Sequence, residues 1–195
     1  MLLAIASLLA VFAEGNYIVS VFKGKTRPSF PSWFVFTFSM WSVFLSAYAL
    51  EARTSLILIG TFATLNTIIA ALSWRFGYRK FLRLDLFFLF ISGIGILLWW
   101  QTANPWYALI ISAGVDACGY FIMYWKLLRH PKTEDPSSWL LSTVAYGLNL
   151  FAITSWVPEE YFFSLLNALW CGLAFLLSLN KHRFLKTHPY VFSIK

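Results

Sequence analysis

"GKTRPSFPSW", residues 24–33, interrupts a long apolar run with two basic residues and two prolines. A second segment, "RHPKTEDPSSW" at 129–139, repeats its key elements. Lys25-Thr26 and Ser32-Trp33 reappear as Lys132-Thr133 and Ser138-Trp139. Polar identities are rare in an apolar chain, so an echo between two loops points to an internal duplication.

The surroundings of both segments set the solvent. The chain has 195 residues, of which 59% are hydrophobic and 12% charged. Soluble domains carry about 25% charged residues. No soluble core of this size hides so much Leu, Phe and Trp, so a lipid bilayer is the expected partner. The net charge of +7 does not indicate nucleic acid, because the basic residues fall in short breaks between apolar runs.

Apolar runs of about 20 residues predict seven spans, at 2–22, 33–50, 55–74, 84–100, 105–125, 138–157 and 160–180. Each must be a helix, since lipid offers no partner to an open strand. The opening "MLLAIASLLAVFAEG" has no basic start, and its apolar run resumes after Asn16. It is read as an uncleaved first span rather than a signal peptide. Lys and Arg alternate by loop. Lys23, Lys25 and Arg27 lie in the first loop, Arg75, Arg79, Lys80 and Arg83 in the third, and Lys126, Arg129 and Lys132 in the fifth. Lys181, Arg183, Lys186 and Lys195 lie in the tail, and the other loops hold only Arg53. The positive-inside rule then places the N-terminus outside and the C-terminus in the cytoplasm. The expected location is a bacterial inner (plasma) membrane. Trp99, Trp100, Trp106 and Trp156 fall at the outer ends, where an aromatic belt is expected.

With Trp33 set on Trp139, the second span overlies the sixth and the first overlies the fifth. "FATLN" (62–66) lies over "FSLLN" (163–167), which matches the third span to the seventh. The expected domain plan is one membrane domain: a first three-helix repeat (1–80), a linker helix (81–103), a second repeat (104–180) and a cytoplasmic tail (181–195). An odd number of helices per half makes a single linker helix necessary, so the repeats run parallel about an axis along the membrane normal.

A 3+1+3 bundle with a basic Lys-Thr…Ser-Trp loop after the first helix of each half resembles the PQ-loop superfamily. That group includes the SWEET and semi-SWEET sugar transporters, the nicotinamide riboside transporters and cystinosin-like exporters. The resemblance implies alternating-access transport of a small polar solute. It also implies that Asn66 and Asn167, on the third helix of each half, face a central pocket. The superfamily's Pro-Gln pair is absent; Asn16-Tyr17 and Gly119-Tyr120 stand there. Gly15 and Gly119 are the expected substitute hinges, with Pro28 and Pro131 marking the two loops. Pro28 and Pro31 stop helix continuation, and Ser32 is expected to cap the second helix.

Polar residues inside the spans are the candidate site. An ionisable group at mid-bilayer costs about 3 kcal/mol on insertion scales. Glu14 and Asp116 each lie about twelve residues into a span, near mid-depth. They read as a proton or cation site, as recognition of a basic substrate, or as protonated carboxyls bonded to a neighbouring helix. Asn66 and Asn167 read either as substrate contacts or as interhelical ties worth about 0.6 kcal/mol. Tyr146, Asn149, Ser39 and Trp41 are further candidate pocket walls. Asp85 is expected to pair with Arg79, Lys80 or Arg83, and Glu159 and Glu160 to favour a helix N-terminus.

Catalysis finds no support in motif. There is no Gly-x-Ser-x-Gly and no His-Glu-x-x-His, and His130, His182 and His188 fall in loops or the tail. Cys118 and Cys171 lie inside apolar spans without metal or disulfide spacing. No cofactor and no metal are expected. The function expected is a small-solute transporter. The alternative is a receptor or interaction protein on the same bundle, without solute flux. The oligomeric state stays open, though two halves in one chain can form a complete path.

Overall fold

The computed structural model describes residues 1–51, 53–78, 83–101, 104–154 and 156–179. These form α1 (Leu2–Phe22), α2 (Phe30–Ala49), α3 (Arg53–Phe76), α4 (Arg83–Gln101), α5 (Pro105–Arg129), α6 (Pro136–Ala152) and α7 (Pro158–Leu179). A single 3-10 turn, Pro131–Thr133, joins α5 to α6. Among the described residues the chain is all helical. Arg79, Lys80 and the whole tail, with His182 and His188, lie outside them.

Among the described residues, five helices are long and apolar enough to cross a membrane: α1, α2, α3, α5 and α7. Helix α6 has 17 residues, at the short end of the range for a crossing. The bounds expected at 138–157 are corrected to 136–152. The helix begins at Pro136, and Ile153 is already extended (φ −66°, ψ 126°). The exterior is apolar, unlike that of a soluble protein, and the core mixes apolar and polar side chains. Phe12, Phe87, Phe90, Trp100 and Phe151 are more than half exposed, while Glu14, Asp116, Asn66 and Asn167 are buried. An apolar exterior, with the few intramembrane polar groups turned inward, is what lipid as solvent demands.

Prolines and caps start the helices. Pro105 opens α5, and the Asn104 side chain accepts from Trp106 N–H at 2.9 Å. Pro136 opens α6, and Asp135 accepts from Ser138 N–H at 3.1 Å. Proline suits these positions because its missing N–H has no helical partner there. Helix α2 starts three residues earlier than expected. Ser29, not Ser32, takes the N-cap position, and Pro31 sits inside the first turn. The Ser32 hydroxyl is buried without a partner. Helix α1 ends where Gly24 turns left-handed at φ +68°, a conformation glycine adopts freely. Lys25 N–H and Thr26 N–H then both donate to Ser20 O.

Helix α1 packs on α3 and α6, α2 on α3 and α5, α5 on α7 and α4, and α6 on α7. The α1 and α2 backbones do not meet, nor do those of α5 and α6, among the described residues. Exchanging α1 with α5, α2 with α6 and α3 with α7 leaves this set of packed pairs unchanged, α4 apart. The two echoed segments also touch. Arg27 N–H donates to Thr133 O at 2.9 Å, and Lys126 Nζ donates to Arg27 O at 2.7 Å. Tyr78 N–H donates to Pro28 O at 2.8 Å, which fixes the end of α3 to the same cluster.

The two candidate hinge glycines differ physically. A Cβ at Gly15 meets nothing within 4 Å, whereas at Gly119 it falls 2.6 Å from the Phe36 ring. Helix α5 approaches α2 that closely only because residue 119 has no side chain. Gly15→Ala is expected to stabilise by about 0.5–1 kcal/mol through helix propensity. Gly119→Ala is expected to destabilise by about 1–3 kcal/mol through overpacking. Thermal unfolding followed by tryptophan fluorescence checks both signs; equal shifts in one direction would refute the packing argument.

Candidate functional site

A small cavity, with about 20 Å³ of free space, lies between the helices. Every helix except α4 contributes to its wall. On α2, Trp33, Phe36 and Met40 recur at helical spacing along one face. Trp41, expected as a wall, is rotated about 100° from Met40. It is 40% exposed on the outer surface, where its Nε1–H donates to Thr67 Oγ1 at 3.1 Å. That expectation is corrected.

Both carboxyls expected at mid-depth reach the same cavity, Glu14 from α1 and Asp116 from α5. Glu14 is 6% exposed and Asp116 1%. Glu14 Oε2 and Asp116 Oδ1 have no hydrogen-bond partner. Ser39 and Asn167 lie within reach of the Asp116 carboxyl. Ser39 itself donates to Ser112 O at 3.0 Å and faces a smaller void between α2, α4 and α5. It stands behind the cavity wall rather than on it.

The two asparagines differ. Asn66 lines the cavity. Asn167 is fully buried behind it and accepts from Tyr120 O–H at 2.9 Å. Tyr120, whose hydroxyl also lies 3.2 Å from Cys171 Sγ, is on the wall. Asn167 therefore holds Tyr120 in place. Tyr146 is on the wall as expected, with its ring stacked on Phe62 at 4.5 Å and 8°.

The basic-loop end of the cavity is closed by side chains that sequence reasoning did not assign to the site. Trp33 and Trp139 stack with ring centroids 6.2 Å apart. Trp33 Nε1–H donates to Tyr17 Oη at 3.2 Å, and Tyr17 O–H donates to Glu134 Oε2 at 2.8 Å. Trp139 Nε1–H donates to the same Glu134 oxygen at 3.3 Å. Lys126 Nζ pairs with Glu134 Oε1, both side chains being almost fully buried. Lys126 and Arg129 thus belong to the last turn of α5, not to a loop. Lys126 is structural, and Arg129 lies over the Trp125 ring at 4.4 Å. The signal was present: Glu134 is an acid set beside Lys132 and Asp135, and the paired tryptophans served only to fix register. His130 is likewise not simply solvated; its ring nitrogen lies 3.3 Å from the Tyr78 hydroxyl.

The opposite end is tied by a second cluster. Ser55 N–H and Oγ–H donate to Glu160 Oε2 at 3.2 and 3.1 Å, joining the first turns of α3 and α7. Asn149 Nδ2 donates to Ser55 Oγ at 3.2 Å and Ser164 Oγ at 2.8 Å. Asn149, expected on the cavity wall, instead fastens α6 to α3 and α7; it lies near the end of α6, beyond the cavity. The side chain of Glu159 lies outside the described residues. Asp85 is buried in the first turn of α4. Pro28 is buried in the first loop and Pro131 opens the 3-10 turn. No group of three or more metal-ligating side chains occurs among the described residues.

No family model, curated protein or solved structure matches this chain.

Proposed function

We propose that this chain is a membrane transporter of the PQ-loop kind. It moves a small polar solute by alternating access through the cavity between its two three-helix groups. One observation carries the reading: a buried cavity walled by both groups, with Glu14, Asp116 and Asn66 among its aromatic rings, and closed separately at each end. The exchange symmetry of the helix contacts supports a duplicated 3+1+3 plan, with α4 as the linker that leaves the cavity untouched. The Trp33–Trp139 stack and the Ser55–Glu160–Asn149 tie then act as the two gates, and the halves rock to open one at a time.

Uptake into proteoliposomes, over a panel of sugars, amino acids and nucleosides, is the direct test. Asn66→Ala is expected to lower uptake of the true solute about tenfold or more, the usual cost of an unsatisfied buried partner. Asn167→Ala acts through Tyr120 and is expected to have a smaller effect. Trp41→Ala is expected to leave uptake unchanged. Undiminished uptake in the Asn66→Ala, Asn167→Ala double variant would overturn the site. Binding of a peptide or protein partner without any solute flux would favour the receptor alternative.

A further inference from the structure

The cavity wall carries an unbalanced charge pattern. Its carboxylic acids, Glu14 and Asp116, each keep an unpartnered buried oxygen, and no Lys, Arg or His among the described residues lines it. Lys126, the buried Lys or Arg among the described residues, is committed to Glu134 and Arg27 O. Both carboxyls lie within electrostatic reach of Tyr146 and Cys171, so they act on one compartment from two sides. The rest of the wall is dominated by Trp33, Phe36, Phe62, Tyr120, Trp139 and Tyr146.

We infer that the cavity binds a small organic cation, a quaternary ammonium or a cationic aromatic ring, as the transported solute. The inference rests on the transport reading and narrows its substrate class. A buried carboxylate is costly unless it is paired, and an organic cation pairs with it while its apolar body meets aromatic rings. Rings attract cations through their quadrupole, most strongly when water is excluded. A hard metal ion fits poorly, since it takes about 6–8 oxygen ligands and this wall is mostly carbon. The cavity has only about 20 Å³ of free space in this closed form, so a cation of choline or N-methylnicotinamide size enters it only as the halves open.

The test uses the purified full chain in detergent, with tryptophan fluorescence reporting ligand at Trp33 and Trp139. Probes come in charged and neutral pairs: choline against 3,3-dimethyl-1-butanol, and N-methylnicotinamide against nicotinamide. At least one cation is expected to bind tenfold or more tightly than its neutral partner. Glu14→Gln and Asp116→Asn are each expected to weaken that binding at least tenfold. Because the pairwise comparison needs no variant, a variant that fails to fold leaves the test intact. Equal response to charged and neutral partners, response to sodium or calcium alone, or no response to either cation from monodisperse protein would each overturn the inference. A neutral sugar taken up by proteoliposomes in an Asn66-dependent way would overturn it while leaving the transport reading standing. Absence of uptake for the whole panel, cations included, would count against both.

Discussion

Glu134→Ala is expected to lower the apparent unfolding midpoint by roughly 10 °C. Removing one partner of a buried ion pair costs about 3–5 kcal/mol, because the other charge is left uncompensated. For a chain of this size each kcal/mol corresponds to about 2–4 °C. The loss has three parts here. Lys126 keeps its charge with only the Arg27 carbonyl to solvate it, and the Tyr17 hydroxyl and Trp139 indole lose their acceptor. Glu134→Gln retains an acceptor but not the charge, so its effect should be intermediate. Lys126→Met should also be milder, since the Glu134 carboxylate keeps two donors. The expected order of damage is therefore Ala at 134, then Gln at 134 or Met at 126. Fluorescence-detected melting in detergent measures it. All three variants within a degree or two of wild type would mean that the cluster behaves as a surface pair, worth about 0–1 kcal/mol.

The contrast between Lys126 and Lys25 explains how much of this molecule was legible in its sequence. Helix existence was legible because lipid forces internal hydrogen bonding on every apolar run; the expected span at 2–22 coincides with α1. Boundaries were less so, since they depend on which residue takes the cap. Ser29 and Ser32 are chemically equal candidates, and only the placement of Pro31 in the first turn separates them. Lys126 and Lys25 look alike as basic loop residues, yet one is 5% exposed in an ion pair and the other is exposed. Burial of a charge depends on a partner from another segment, and charge counting does not register that. The site divided in the same way. Glu14, Asp116, Asn66 and Tyr146 were legible from depth and polarity, because few polar groups tolerate mid-membrane without purpose. Trp41 and Asn149 were misplaced because depth alone does not fix azimuth or distance from the end of a bundle. Trp33 and Trp139 were hidden by their commonness: in a chain with 10 tryptophans, aromatic residues are expected on the lipid face.

The strongest functional effect is expected at Cys171, a native thiol inside the cavity. Cys171 lines the wall and is 2% exposed, so a membrane-impermeant methanethiosulfonate should modify it slowly in the closed form. Cys118 is also buried, in a different setting, and Cys118→Ser removes it as background. In that background, Trp33→Ala with Trp139→Ala deletes the stack over the basic-loop end and the indole bond to Glu134. An aromatic pair contributes about 0.5–1.5 kcal/mol beyond its buried area, and a hydrogen bond about 0.5–1.5 kcal/mol. Together they shift the open–closed balance by about 1–3 kcal/mol, so modification should accelerate roughly 30-fold. The acceleration must be sided. Reagent at the basic-loop face should gain most from the tryptophan variant. Ser55→Ala with Glu160→Gln, which cuts the tie between α3 and α7, should favour the opposite face. A site with one permanent entrance would respond from the same face in both variants, and that result would remove the alternating-access mechanism. Opposite sidedness would mean that two gates guard one compartment, and protection of Cys171 by a bound cation would place the ligand in that compartment.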